Sequence, residues 1–109
     1  MKDTSLGEFE ELVLLIVAGL RGEAYGVSIL EALELNTGRT YNISAVHVVL
    51  KRAEDKGYVK FHFGGITDER GGRRKKFYTI TAFGRKALDS QYQLRAGLYQ
   101  LILETPIAK

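Results

Sequence analysis

A dense run of cations is the chemical feature of this chain that stands out first. Five of the seven residues at positions 70–76 are basic: Arg70, Arg73, Arg74, Lys75 and Lys76. Glycine pairs at positions 64–65 and 71–72 accompany the run, and they favour a loop whose backbone can approach a ligand closely. Because exposed like charges repel and contribute little to folding, the run indicates a surface that binds a polyanion.

The net charge of +3 is distributed unevenly along the chain. Positions 1–50 hold three basic and seven acidic residues, positions 51–86 hold eleven and four, and positions 87–109 hold two and two. The three segments therefore carry −4, +7 and 0. One cationic segment suits a nucleic-acid surface, but a merely solvated basic face accounts for the distribution equally well.

Residue types that could support catalysis are scarce. The absence of cysteine excludes disulfides, thiolate zinc sites and cysteine nucleophiles, and it fits a reducing compartment. The two histidines, His47 and His62, are too few for a zinc site built on histidines. No serine has a recognisable histidine and acid arrangement around it. We predict that the chain is not an enzyme and needs no cofactor or metal.

The length of 109 residues, 45% of them apolar, predicts one domain with a modest core. The longest apolar run, at positions 12–20, has nine residues, whereas a bilayer span needs about 20. Acidic residues precede this run, unlike the basic leader of a signal peptide. These features predict a cytoplasmic protein without a membrane segment.

The first predicted helix covers positions 6–20. Ser5 and Glu8 have the spacing of a capping box, and apolar residues then recur at helical spacing. Leu14 and Leu15 lie off the main apolar stripe. We therefore expect a second surface to cover this helix.

Two further helices are predicted at positions 25–36 and 43–56. Gly38 is a suitable left-handed stop for the second helix, Asn42 can cap the third, and Gly57 ends it. The apolar positions of the third helix are Ile43, Val46, Leu50 and Ala53. The residues on its reverse face are small near the start of the helix and basic further along, which suits insertion into a groove.

Two strands, at positions 58–63 and 75–80, should form a hairpin with an extended tip. Val59, Phe61 and Phe63 alternate with polar residues, as expected of a half-buried strand. A last helix, capped by Thr81, should reach Leu103. It carries more apolar surface than a small domain can cover, so we assign it mainly to a second copy of the chain.

This order of elements predicts a mainly α protein with a small β-hairpin, namely a winged helix-turn-helix at positions 5–81 and a C-terminal dimerisation helix at 82–104. The predicted dimer contacts are Leu14, Leu15, Leu94, Leu98, Tyr99, Leu101 and Ile102. The predicted DNA contacts are Tyr25, Asn42, Ser44, Ala45, His47, Val48, Lys51, Arg52, Arg70, Arg73, Arg74 and Lys75. Tyr25 either meets a phosphate at a helix N-terminus or covers the edge of the core.

Four stretches resemble successive signature blocks of the PadR-like transcriptional regulators across positions 5–90: LGEFEELVLLIVAGL, AYGVSILEALE, NISAVHVVLKRAEDKGYV and ERGGRRKKFYTITAFGRKAL. The short C-terminus is similar to the compact branch of that family. The resemblance implies a homodimeric repressor whose first and last helices pair the subunits. It also implies that an effector often binds near the dimer interface.

Three positions depart from the family pattern. His47 stands where a tyrosine is usual, Ala53 where a leucine is usual, and Ala82 where a proline is usual at the junction of wing and helix. The fold tolerates these changes, but a base preference does not transfer with the resemblance.

Three functional hypotheses follow from the sequence. The first is a dimeric repressor that binds an inverted repeat in double-stranded DNA. The second is a winged-helix module that binds another protein, since a fold does not dictate a function. The third extends the first by adding a small aromatic or apolar effector at the dimer interface, although aromatic residues at helical spacing more often serve packing alone.

Overall fold

The computed structural model describes residues 6–64 and 74–108. Within them lie four helices and one two-stranded antiparallel sheet, which matches the predicted fold class. In chain order the elements are α1 (Glu8–Gly19), α2 (Gly26–Thr37), α3 (Ile43–Lys56), β1 (Val59–Phe63), β2 (Lys76–Ile80) and α4 (Ala82–Leu103).

The core lies between α1, α2 and α3. Its largest fully buried side chains are Leu14, Ile29, Leu33, Leu50, Val13, Val17 and Val46. Helix α1 packs against α2, α3, β2 and α4, so its buried arc is wider than one stripe. For this reason the prediction that Leu14 contacts a second copy is wrong, because its side chain is 0% exposed within its own chain.

Helix ends follow local sequence signals in most places. Gly38 and Gly57 adopt left-handed conformations, with φ of 71° and 84°, where only glycine is unstrained. The Asn42 side chain accepts a hydrogen bond from the backbone N–H of Ser44 at 2.7 Å, as predicted for an N-cap. Thr81 likewise caps α4, since its Oγ1 accepts from the Gly84 N–H at 3.0 Å.

The predicted capping box at the start of the chain is wrong. Helix α1 begins at Glu8, and its N-cap is Gly7, which has no side chain to accept a hydrogen bond. The N-cap position therefore lies two residues after Ser5, a residue outside the described part of the chain. The acidic first turn, which includes Glu8 and Glu10, complements the positive end of the helix dipole instead.

The hairpin pairs Val59 with Ile80 at one end and Phe63 with Lys76 at the other. A third extended segment joins it through an isolated bridge between Ala24 and Tyr78, where the Tyr78 N–H donates to the Ala24 carbonyl at 2.7 Å. Because only one residue of this segment pairs with the hairpin, the sequence shows no alternating pattern there and did not predict the bridge. It fixes the hairpin beside the start of α2.

Strand β1 is less buried than its alternating pattern predicted. Val59 is buried, but Phe61 and Phe63 on the same face are exposed. The prediction that all three belong to a half-buried strand is therefore wrong for the two phenylalanines. Val59 lies at the end of β1 that follows α3, whereas Phe61 and Phe63 lie further along the strand, where their rings meet edge-on with centroids 5.5 Å apart.

The contacts of α4 with the rest of the described chain extend from its start to Arg95. Gly84 and Leu88 are buried, and the Gln91 side-chain amide donates to the Leu6 carbonyl at 3.2 Å. Arg95 forms an ion pair with Glu11 at 3.4 Å. None of the described helices combines the length and the apolar character that crossing a membrane requires.

Candidate nucleic-acid interface

One face of α3 is exposed along its whole length. The buried side holds Val46, Val49, Leu50 and Ala53, which attach the helix to the core. The opposite side is exposed at the six positions predicted to contact DNA: Ser44, Ala45, His47, Val48, Lys51 and Arg52. The structure thus places these six on one accessible helix face, with small residues first and cations last.

Asn42 lies at the start of this face and already has a structural role. Its Oδ1 accepts the hydrogen bond from the Ser44 N–H that caps α3. Since a side-chain amide also has two N–H donors, only the Nδ2 end remains for a ligand. Asn42 can therefore donate a hydrogen bond to a base or phosphate without uncapping the helix.

A cleft of about 740 Å³ separates the α3 face from β2 and the start of α2. Four basic side chains contribute to its lining, and it brings together residues that lie up to 53 positions apart in sequence. The lining residues are Tyr25, Gly26, Val27, His47, Lys51, Glu54, Arg74, Lys75, Lys76 and Tyr78. The predicted contacts Tyr25, His47, Lys51, Arg74 and Lys75 therefore share one concave surface.

Tyr25 is held in this cleft by two neighbours from the hairpin. The Phe77 ring meets it edge-on with centroids 5.4 Å apart, and Lys75 Nζ lies 4.3 Å from its ring centroid. The Tyr25 backbone N–H donates to Ser28 Oγ at 2.9 Å, which secures the first turn of α2. A phenol and an ammonium group thus lie side by side at a helix N-terminus, an arrangement suited to a phosphate.

Lys76 belongs to the predicted cationic run, but it has partners within the chain. Its Nζ lies 3.4 Å from Glu54 Oε1 and 3.9 Å from the centroid of the Phe61 ring. These contacts fix the hairpin to α3 and partly neutralise the charge. Sequence reasoning missed this role, because residues 54 and 76 are far apart in the chain and only the fold places them together.

Three basic residues of the interface have no acidic partner within the described part of the chain. Over residues 6–64 and 74–108, no ion pair involves Arg52, Arg74 or Lys75. Lys51 pairs only with Asp55, at 3.3 Å, and both side chains are largely exposed. Such surface pairs contribute little, so Lys51 is available to a phosphate. The predicted contacts Arg70 and Arg73 lie outside the described residues.

Gly26 allows the start of α2 to approach the exposed face of α3 closely. A Cβ atom at this position would lie 2.8 Å from His47 Cε1 and 3.1 Å from His47 Nε2. The imidazole therefore rests against the first turn of α2, although His47 as a whole is exposed. Gly26 thus lets the start of α2 pack closely against His47 of α3.

A family model described as the transcriptional regulator PadR-like family matches residues 13–90. This match covers more than half of the chain. The chain belongs to the PadR-like family. Within this PadR-like chain the match runs from α1 through the hairpin to Ser90 in α4, so it includes every described residue of the candidate interface and ends before Leu94.

Solved structures of PadR-like proteins share the fold. A PadR family transcription regulator from Clostridium difficile R20291 is 21% identical, with 90% of this chain and 97% of that chain covered and a TM-score of 0.71. A PadR-like regulator from Bacillus cereus ATCC 14579 is 18% identical, with 88% of each chain covered and a TM-score of 0.70. The order of helices and hairpin is therefore that of a winged helix-turn-helix.

A third solved structure is that of Bacillus subtilis PadR in complex with operator DNA. It is 23% identical, covers 94% of this chain and 51% of that chain, and has a TM-score of 0.63. No curated protein matches this PadR-like chain significantly.

The second candidate surface of this PadR-like chain is the end of α4. The predicted dimer residues there are all more than half exposed: Leu94, Leu98, Tyr99, Leu101 and Ile102. Leu15 on α1 is 49% exposed, so it also remains accessible, in contrast to Leu14. Tyr92 and Leu103 are exposed as well, and sequence reasoning did not include them among the dimer contacts.

Proposed function

We propose that this PadR-like regulator is a sequence-specific DNA-binding protein that acts as a homodimeric repressor. The observation that carries the proposal is the cleft in which the exposed face of α3 adjoins Arg74 and Lys75 of the wing. That arrangement places a helix that fits the major groove beside cations that can bind phosphates. The operator complex of Bacillus subtilis PadR supports the same use of this fold.

In this proposal the N-terminal half of α3 reads bases. Helix-turn-helix proteins insert the first turns of the recognition helix into the major groove. Ser44, Ala45, His47 and Val48 are the exposed side chains of those turns. Lys51 and Arg52 follow one turn later and contact phosphates, which strengthens binding without selecting a sequence.

Tyr25 and Lys75 form the second phosphate contact of the proposal. The Tyr25 hydroxyl donates to a phosphate oxygen while the adjacent Lys75 ammonium neutralises its charge. The positive end of α2 adds to the attraction. Tyr25→Phe should therefore weaken DNA binding while leaving the edge-on contact with Phe77 intact. Unchanged affinity in both Tyr25→Phe and Tyr25→Ala would show that Tyr25 only covers the edge of the core.

The dimer in this proposal forms through α4 and the exposed side of α1. Two recognition helices related by a two-fold axis read an inverted repeat, with half-site centres about 34–36 Å apart. Occupation of such a site near a promoter would block transcription. The predicted effector would act by changing the angle between the two DNA-binding heads, in a coupling that is reciprocal between effector and DNA.

The first experiment selects duplexes from a random pool with the purified full chain. The selected and shuffled duplexes are then compared by fluorescence anisotropy at several salt concentrations. We expect a preference of about 10³-fold or more for an inverted repeat, with two chains bound per duplex. The double substitution Arg74→Ala with Lys75→Ala should make the plot of log binding constant against log salt concentration less steep. The slope should fall in magnitude by about 1.8 per protomer, since each phosphate contact contributes ~0.9.

Lys86→Ala is the matched control, because Lys86 is an exposed lysine on α4 away from the cleft. Its salt dependence should equal that of the unmodified chain. If the Arg74/Lys75 variant also behaves like the unmodified chain, the proposed wing contacts are wrong. Failure to bind any duplex at low salt would instead favour the hypothesis of a protein-interaction module.

A further inference from the structure

An apolar side chain occupies the centre of the otherwise polar face of α3. Val48 is 50% exposed, although it lies on the helix that packs against the core through Val46 and Leu50. Residues at i−4, i+3 and i+4 are its neighbours on a helix surface, and here these are Ser44, Lys51 and Arg52. Apart from Ala45 at i−3, the neighbours of Val48 on this face are thus polar or cationic.

The fold gives little reason for a valine at this position. Val46, Val49 and Leu50 already attach α3 to the core, and half of the Val48 side chain stays in contact with water. Valine also has a lower helix propensity than lysine, glutamine or alanine, because its branched side chain loses rotamer freedom. The same stiffness gives an apolar group in one fixed orientation, which is useful for recognition.

Ala45 extends this apolar area by one turn toward the N-terminus of α3. It lies at i−3 from Val48 and is exposed. Together the two residues form a small apolar patch, which is bordered by Ser44 and by the cations Lys51 and Arg52. Cations on the border favour a polyanion as the occupant over a second copy of this chain, which is itself cationic on this surface.

The major groove of DNA offers one apolar group at its base edges, the C5-methyl of thymine. We propose that Val48, with Ala45 beside it, reads the C5-methyl group of a thymine at a fixed position in each half-site. This inference rests on the proposed DNA-binding function, and it names the base feature that the centre of α3 recognises. Ser44 and His47 on either side supply the polar contacts to neighbouring bases.

The test removes single methyl groups from the DNA. Deoxyuridine replaces thymine at one position at a time in both half-sites of the selected duplex, and binding is followed by anisotropy. Loss of one buried methyl group is expected to weaken binding by about four-fold per half-site. The loss should be confined to one or two thymines per half-site, and deoxyuridine outside the half-sites should have no effect.

Val48→Ala and Val48→Thr complete the cycle on the protein side. Val48→Ala withdraws the apolar contact, and Val48→Thr keeps the branched shape but replaces one methyl group with a hydroxyl. Both variants should bind the unmodified duplex more weakly, by up to about four-fold per half-site, and both should discriminate less between thymine and deoxyuridine at the sensitive position than the unmodified chain does. Because Val48 is half-exposed, thermal unfolding should be nearly unchanged.

The outcomes separate this inference from the function on which it rests. If the unmodified chain selects an operator but binds every deoxyuridine duplex equally well, the thymine contact is wrong and the DNA-binding proposal stands. A methyl-dependent loss of the same size in Val48→Ala as in the unmodified chain would also overturn the role of Val48. If no duplex is preferred at all, both the inference and the proposed function fail.

Discussion

Asn42 shows how one side chain can serve the fold and the proposed interface together. Its Oδ1 caps α3 through the Ser44 N–H, and the residue is exposed at the start of the α3 face proposed to bind DNA. An amide differs from a carboxylate of the same shape only in its donors and charge. Substitutions at this position can therefore separate the two roles.

Asn42→Asp should keep the cap and impair DNA binding. Aspartate caps helices about as well as asparagine, so the free energy of unfolding should stay within ~0.5 kcal/mol of the original value. The new negative charge should repel DNA and lower affinity by about ten-fold or more. Asn42→Ala should instead lose about 1 kcal/mol of stability, because the Ser44 N–H loses its acceptor. Chemical denaturation and anisotropy measure both effects.

If Asn42→Asp bound DNA as tightly as the unmodified chain, Asn42 would be a cap only. Such a result would remove Asn42 from the list of DNA contacts and leave the cap assignment intact.

At the scale of the element, the number of elements packed against α1 decides which of its side chains are buried. It packs against α2, α3, β2 and α4. Adjacent leucines consequently have opposite environments, with Leu14 fully buried and Leu15 49% exposed. The two residues form a matched pair, because they are the same residue type at adjacent positions of one helix.

Leu14→Ala should destabilise the chain by about 3–5 kcal/mol, because it leaves a cavity in the core. Leu15→Ala should cost about 1 kcal/mol or less, since its side chain is already half in contact with water. Urea unfolding of both variants at several chain concentrations measures the difference. Equal losses at low concentration would contradict the placement of Leu14, and a loss in Leu15→Ala that grows with concentration would support burial by a second copy.

The junction between the hairpin and α4 depends on a close approach of Gly84 to the backbone of Tyr58. A Cβ atom on Gly84 would collide with the Tyr58 carbonyl oxygen and would lie 2.8 Å from Ile80 Cδ1. The Tyr58 carbonyl also accepts from the Thr81 N–H at 2.9 Å, so the backbone there is not free to move. Glycine is required at position 84 for this close approach.

Gly84→Ala should therefore lower the free energy of unfolding by about 2–3 kcal/mol through overpacking. Ser90→Ala, at an exposed position of the same helix, is the control and should change stability by less than ~0.5 kcal/mol. Thermal and chemical unfolding provide the measurement. A neutral Gly84→Ala variant would mean that α4 can move away from the hairpin without cost.

At the scale of the whole molecule, the apolar end of α4 is the main surface that one chain leaves uncovered. Leu94, Leu98, Leu101 and Ile102 are each more than half exposed. Contiguous apolar surface of this kind is unusual on a monomeric domain and marks an interaction site. The proposed occupant is the same surface of a second copy, because oligomers of one chain are mostly two-fold dimers.

Leu98→Glu should convert the dimer to a monomer, because pairing would bury a carboxylate in apolar surroundings. We expect the dimer dissociation constant to rise by about 100-fold or more, and operator affinity to fall with it. Light scattering after size-exclusion chromatography gives the mass. Leu35→Glu is the control, since Leu35 is 85% exposed on α2 and should tolerate the charge. A Leu98→Glu variant that remained dimeric would place the interface elsewhere.

The sequence by itself determined the order and approximate bounds of the helices and strands. These depend on local signals: apolar residues at helical spacing, caps at Asn42 and Thr81, and left-handed stops at Gly38 and Gly57. The sequence also determined which side of α3 is available, because its apolar positions recur with one clear period. Local interactions within a few residues decide such features, so they can be predicted without the tertiary structure.

Only the tertiary structure decided which side chains share an environment. Leu14 belongs to the core because four elements surround α1, and Lys76 is paired because the hairpin folds back beside Glu54. The contact of Lys75 with Tyr25 joins residues 50 positions apart. Contacts between distant positions arise when elements pack, and neither period nor spacing along the chain encodes which elements will meet.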